Sequence, residues 1–112
     1  MIYHITTHEA WERALELGSH RVPSLKTEGF IHCSEEAQLI ESATKHYADH
    51  DSVVVLHIIE KRVKDILKRE PSRGGQLFPH LYGPLPLEAV EDQSLLQRNA
   101  NGDFEWIKTR KH

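Results

Sequence analysis

Val53-Val54-Val55-Leu56-His57-Ile58-Ile59 is apolar at every position except His57. A strand with no polar face is one covered on both sides, so this run predicts a central β-strand. His57 interrupts it early, and the run is far too short to span a bilayer.

Upstream, Ile2-Tyr3-His4-Ile5 has the β-branched and aromatic character of a short strand. Thr6-Thr7-His8-Glu9 then gives a capping-box pattern that opens a helix. Ala10, Trp11, Ala14 and Leu15 form its apolar stripe, which sends Trp11 to the core, and Gly18 suits its end. A polar loop holding Pro23 leads to a second expected strand, Gly29-Phe30-Ile31-His32-Cys33. Ser34-Glu35-Glu36 supplies a cap and first-turn acids for a second helix, whose stripe of Ala37, Ile40, Ala43, Thr44 and Tyr47 stops at Asp49-His50-Asp51.

Downstream, Val63, Ile66 and Leu67 suggest a short helix or turn, and Pro71-Ser72-Arg73-Gly74-Gly75 a flexible loop. Leu77 to Tyr82 reads as a strand. Pro79 inside it cannot donate to a ladder, which predicts an edge strand or a bulge. Gly83-Pro84-Leu85-Pro86 turns the chain, and Glu88 to Leu96 pairs with Phe104 to Ile107 as a terminal hairpin around residues 99–103. Helices early and strands late predict a strand-rich α+β fold. The regular alternation of a doubly wound sheet is missing, as are Gly-x-Gly-x-x-Gly and phosphate-loop patterns.

The 112 residues show no linker or composition break, so residues 1–112 are expected to form a single domain. With 14 basic against 17 acidic side chains, the net charge of −3 gives no electrostatic case for nucleic acid. The basic stretch from Lys61 to Arg69 alternates with Val63, Ile66 and Leu67 and reads as a solvated face. One cysteine cannot form an internal bridge, and Met1-Ile2-Tyr3-His4 is not a signal-peptide start, so a cytoplasmic protein without a membrane segment is expected.

Nine histidines are several times what a chain of this length would ordinarily carry. Neighbours on a strand point to opposite faces, which separates His32 from Cys33 and argues against a Cys–His nucleophile. Cys33 is expected in the core. Ser34 shares the face of His32 and reads either as a helix cap or as a ligand contact. His80 lies between Phe78 and Tyr82 on one alternating face, stiffened by Pro79 and Pro84, and fits either a structural or a functional histidine. Arg73 with two glycines offers a guanidinium and backbone amides to a phosphate or carboxylate. His46 and His50, four apart, are expected to be a surface pair.

Three segments carry a resemblance. These are Ile2-Tyr3-His4-Ile5, Glu28-Gly29-Phe30-Ile31-His32-Cys33-Ser34 with Gln38, and Glu70-Pro71-Ser72-Arg73-Gly74-Gly75 leading into Phe78-Pro79-His80-Leu81-Tyr82-Gly83-Pro84. Together they resemble the small, mostly bacterial domain of unknown function family 952, which looks like a compact relative of the ADP-ribosyltransferase superfamily. That resemblance implies a compact split antiparallel or mixed β-sheet with two main helices and an NAD cleft between the halves. It implies His4, His32 and His80 as catalytic residues, and Ser34, Gln38, Glu70, Arg73 and Tyr82 as contacts to an NAD- or ADP-ribose-type ligand. The expected activity is related to ADP-ribosyl or phosphoryl transfer. The late glutamate that completes the site in several branches of that superfamily has no assured counterpart, Glu70 being the available residue. A non-catalytic module for an anionic metabolite or protein partner is the alternative, and a metal held by His4, His32 and His80 a third.

Overall fold

The computed structural model describes residues 1–107, apart from the Arg73 side chain. His112, which the sequence leaves without a role, lies outside the described residues. In chain order the elements are β1 (Ile2–Thr6), α1 (His8–Leu17), β2 (Ser19–His20), α2 (Pro23–Thr27), β3 (Ile31–His32), α3 (Leu39–His46), β4 (Ser52–Ile58), β5 (Leu67–Pro71), β6 (Leu77–Leu81), β7 (Leu85–Pro86), β8 (Val90–Arg98) and β9 (Phe104–Ile107). The fold is α+β with antiparallel sheets and few helices.

β4 is central, as its apolar run requires, lying between β1 and β8 in a four-stranded sheet of order β1-β4-β8-β9. Alternation sends Val53 and Val55 to one face, with Tyr3, Ile5, Leu39, Leu96 and Phe104. Val54, Leu56 and Ile58 go to the other, with Ile2, Trp11, Ile31, Leu81 and Leu85. Each such side chain contributes roughly 1.5–3 kcal/mol on leaving water, which makes β4 the anchor of both cores.

α1 forms as expected, but its cap is Thr7, one residue after the Thr6 that a capping box with Glu9 implies. The Thr7 hydroxyl accepts from the Ala10 amide at 3.1 Å, and Gly18, at φ 88°, ends the helix in a conformation that favours glycine. The terminal hairpin of β8 and β9 also forms, its loop closed by the Asn99 side chain accepting from the Asn101 and Asp103 amides.

Other expectations need correction. β3 is two residues long, because Ser34 leaves the β3 ladder to pair with Tyr3. Ser34 is therefore not a helix cap. Glu35 is, in a capping box with Gln38 that opens a 3₁₀ turn (Glu36–Gln38) running into α3. The polar loop around Pro23 instead holds β2 and the short α2, with proline at its first turn, where a missing N–H costs nothing. The turn after Gly83 contains β7, which pairs with β2.

β6 is not an edge strand. It is the middle strand of a sheet ordered β3-β6-β5, with Pro79 inside it. The Pro79 carbonyl accepts from the Cys33 amide at 3.0 Å, just beyond the end of β3. In an antiparallel ladder a residue's N–H and C=O face the same neighbour. The absent donor therefore faces the place where β3 has already ended, and no ladder bond is lost.

Candidate functional site

The two larger sheets are joined through β1 and the residue after Cys33. Tyr3 donates its amide to the Ser34 carbonyl at 2.9 Å, and Ser34 donates back to Tyr3 at 2.7 Å. Beside this junction opens a cleft of about 600 Å³. Its walls include His4, Thr6 and Thr7, then Glu28, His32 and Ser34, then Ser42 and His46 of α3 with Tyr47 just after it, and Phe78 of β6. The volume suits a small-molecule site.

His4 is buried at one wall. Its Nδ1 lies 2.7 Å from the His32 carbonyl oxygen, and its Nε2 lies 3.1 Å from Nε2 of His20. A carbonyl only accepts, so Nδ1 of His4 carries the hydrogen, its Nε2 accepts, and His20 donates from Nε2. Burial, with the neighbouring His20, pushes the His4 pKa down to about 3, and burial pushes His20 down to about 4. Both rings are neutral near pH 7. With both nitrogens bonded, His4 offers a ligand orientation, not a proton.

His32 is different. Its exposed ring places Nε2 2.9 Å from a Glu28 carboxylate oxygen, with both side chains about half exposed on the cleft wall. With the carboxylate accepting from Nε2–H, Nδ1 of the neutral tautomer is the acceptor nitrogen, the arrangement of an oriented acid–base imidazole. Sequence reasoning missed Glu28 as a site residue. Gly29, at φ 91°, turns the chain between Glu28 and His32 and so brings the carboxylate back onto the ring.

Ser34 lines the cleft with its hydroxyl 3.2 Å from that of Ser42. Cys33 is buried, as expected, and burial raises its thiol pKa well beyond the usual range. Gln38 does not line the cleft. Its side-chain oxygen accepts from the Glu35 amide, and its nitrogen donates to the Gln76 side chain and the Leu77 carbonyl, so it ties α3 to β6. The Arg73 side chain lies outside the described residues.

His80, Tyr82 and Glu70 form a second cluster, and this corrects the expectation of one shared cleft. One Glu70 carboxylate oxygen accepts from His80 Nδ1 at 2.7 Å and from the Tyr82 hydroxyl at 2.5 Å. These bonds, from Tyr82 first, lower the Glu70 pKa, while the same bond raises that of Tyr82. Phe30 stacks on His80 with centroids 4.0 Å apart, and the His32 ring meets His80 edge-on at 5.5 Å. β3–β6 pairing sets this neighbourhood, because His32 and His80 are direct cross-strand partners. The three histidines of the expected triad thus fall in contiguous positions, with His4 and His32 on the cleft and His80 behind His32.

Sequence reasoning also gave His20 no role. A two-residue strand leaves no periodic signal, so its meeting with His4 was not legible. His46 reaches the cleft wall, whereas His50 does not. Among the described residues no cluster of three metal-ligating side chains occurs, and no helix is long and apolar enough to cross a membrane.

No curated protein matches the chain. Its fold is similar to that of protein CC0527 from Caulobacter crescentus. The crystal structure of that protein superimposes with a TM-score of 0.84 at 33% identity, over 93% of this chain and 92% of that one. The solution NMR structure of CC0527 gives 0.79 at 34% identity, over 91% and 89%. The model of the family described as a protein of unknown function (DUF952) matches residues 5–93, and by that match over most of its length the chain belongs to this family.

Proposed function

We propose that the cleft binds an anionic, nucleotide-like ligand of the NAD or ADP-ribose type, and that Glu28 and His32 act on its sugar. The observation that carries this reading is the Glu28–His32 pair, 2.9 Å apart on the wall of a cleft of about 600 Å³. In this reading the chain is a compact relative of the ADP-ribosyltransferase superfamily, and the cleft draws its walls from both larger sheets, as a split-sheet NAD site does. The lining suits such a ligand: hydroxyls of Thr6, Ser34 and Ser42 for ribose and phosphate oxygens, and Tyr47 and Phe78 for a flat ring.

Glu28, early in the chain and so not the counterpart of the superfamily's late glutamate, supplies the carboxylate in this reading. When the bond between ribose and the departing ring breaks, the ring leaves with the bonding pair and positive charge develops on the sugar, which a carboxylate stabilises. His32 takes the proton of the hydroxyl that attacks the same carbon. His4, locked and neutral, holds the floor of the site. A second reading, a non-catalytic module for an anionic metabolite or a protein partner, draws on His4 and His20, two imidazoles built to stay fixed and uncharged.

The test is a titration of NAD and ADP-ribose followed by NMR, with a parallel assay for nicotinamide release. Shifts at His4, His32 and Ser34, with release abolished by Glu28→Gln, are the expected result. Binding without release selects the module, and silence at all three residues overturns the nucleotide reading.

A further inference from the structure

Two asparagines share the loop between β8 and β9, and the fold holds them differently. The Asn99 side chain is locked at both ends: its oxygen accepts from the Asn101 and Asp103 amides at 2.9 and 3.0 Å, and its nitrogen donates to Glu105 at 3.0 Å. Asn101 is exposed, and its side chain makes no hydrogen bond among the described residues. The residue after Asn99 is Ala100, whereas Asn101 is followed by Gly102, at φ 85° with nothing within 4 Å of where a Cβ would stand.

The amide carbon of an asparagine side chain is open to attack by the main-chain nitrogen of the next residue. A Cβ on that residue crowds the approach, and glycine has none. At Asn101 the Gly102 nitrogen gives up its proton to solvent and bonds to Cγ. The bond from Cγ to the side-chain nitrogen breaks, that nitrogen leaves as ammonia, and a cyclic imide remains. Water then opens the ring at either carbonyl, which yields aspartate or isoaspartate with no electron transferred. Asn99 has the same chemistry without the freedom, since turning its amide toward Ala100 breaks three hydrogen bonds.

We infer that Asn101 is a site of spontaneous deamidation and that Asn99 sets its rate. The Gly102 amide donates to the Asn99 carbonyl at 2.9 Å, so this nitrogen attacks when the turn opens. One such bond slows the folded chain roughly two- to twelvefold relative to the unfolded one. The isoaspartate product routes the main chain through the side-chain carbon and so adds one atom to the turn. That moves the Gly102 carbonyl, which accepts from Arg98 Nη1 at 2.7 Å, and loosens the tie of β8 to this loop. The change marks aged chains outside the cleft, whose walls include none of residues 99–103.

The full chain is incubated in mildly alkaline buffer, folded and in urea, and peptide mapping by mass spectrometry follows the amide-to-acid mass gain at each asparagine. In the folded chain the gain is expected at Asn101, as both products, with Asn99 intact. Ala100→Gly gives Asn99 a glycine neighbour while leaving its hydrogen bonds in place. In that variant Asn99 is expected to stay intact when folded and to react like Asn101 in urea. Asn99→Ala, which removes the lock, is expected to speed the loss of Asn101 roughly two- to twelvefold. Ala100→Gly carries the test alone should Asn99→Ala fail to fold. An Asn101 that survives in the folded chain while reacting in urea overturns the site, because the turn then forbids the attack. Equal reaction of Asn99 and Asn101 in folded Ala100→Gly, or an unchanged rate in folded Asn99→Ala, overturns the control by Asn99.

Discussion

The rings of His4 and His20 meet Nε2 to Nε2 at 3.1 Å, and the His32 carbonyl on the far side of His4 fixes which of them holds the shared hydrogen. The chain of donation runs from His20 through His4 to the main chain of β3. ¹⁵N shifts of the imidazoles are expected to report the Nδ1–H tautomer for His4 and the Nε2–H tautomer for His20, with neither ring titrating between pH 8 and 5. The opposite tautomer at His4 would break the assignment.

The same pair makes the protein acid-sensitive. Both folded-state values, about 3 and about 4, lie below the ordinary histidine value of 6.5. The unfolded chain therefore binds more protons than the folded one in that interval. The stabilisation is fully present above pH 6.5 and is lost as pH falls through the folded values of about 4 and about 3, by an amount on the order of a few kcal/mol for the coupled pair. Denaturant midpoints measured from pH 7 to pH 4 should fall accordingly, and His20→Phe should flatten the fall even as it lowers stability at pH 7.

Replacing His4 with Phe strands two buried groups at once, the His32 carbonyl and the His20 N–H. A loss of roughly 2–4 kcal/mol is expected, each stranded group costing about 1–3 kcal/mol. Urea melts measure it, and a variant within experimental error of native would mean that the two groups find other partners.

Arg98 ties the end of β8 to the loop after α3. Its guanidinium donates to the carbonyls of His50, Ala48 and Gly102 at 2.9, 2.7 and 2.7 Å and lies 4.2 Å over the Phe104 ring. Lysine cannot reproduce a planar fork. Arg98→Lys is expected to cost about 1–3 kcal/mol by thermal melt, whereas Arg98→Gln should cost no less.

Gln38 gives a prediction in which the corrected capping matters. Gln38→Leu removes the reciprocal half of the Glu35 cap and the bonds to the Gln76 side chain and to the Leu77 carbonyl of β6. About 1–2 kcal/mol should be lost, while Ser34→Ala, which removes no cap, should leave α3 helicity by circular dichroism unchanged.

What the sequence made legible follows from where side-chain patterns carry information. β4 could be read because residues 53–58 are apolar except for His57, and the terminal hairpin because residues 99–103 are turn chemistry between two alternating runs. β2 and β7, two residues each, are too short to show a period, so their pairing and the burial of His20 were invisible. Pro79 misled because the edge rule assumes a full-length neighbour, and β3 stops one residue before the proline would need to donate. Of the candidate site, the convergence of His4 and His32 was legible from their motifs. Glu28 was not, because its approach to His32 depends on a backbone reversal at Gly29.

The buried thiol of Cys33, set between β3 and the Tyr3–Ser34 bridge, makes the junction of the two sheets self-reporting. Cys33 borders the cleft but is almost wholly buried, and burial keeps its sulfur protonated, so the rate at which the folded chain acquires an alkyl label clocks how often the cleft wall opens. A ligand seated in the cleft would slow that clock.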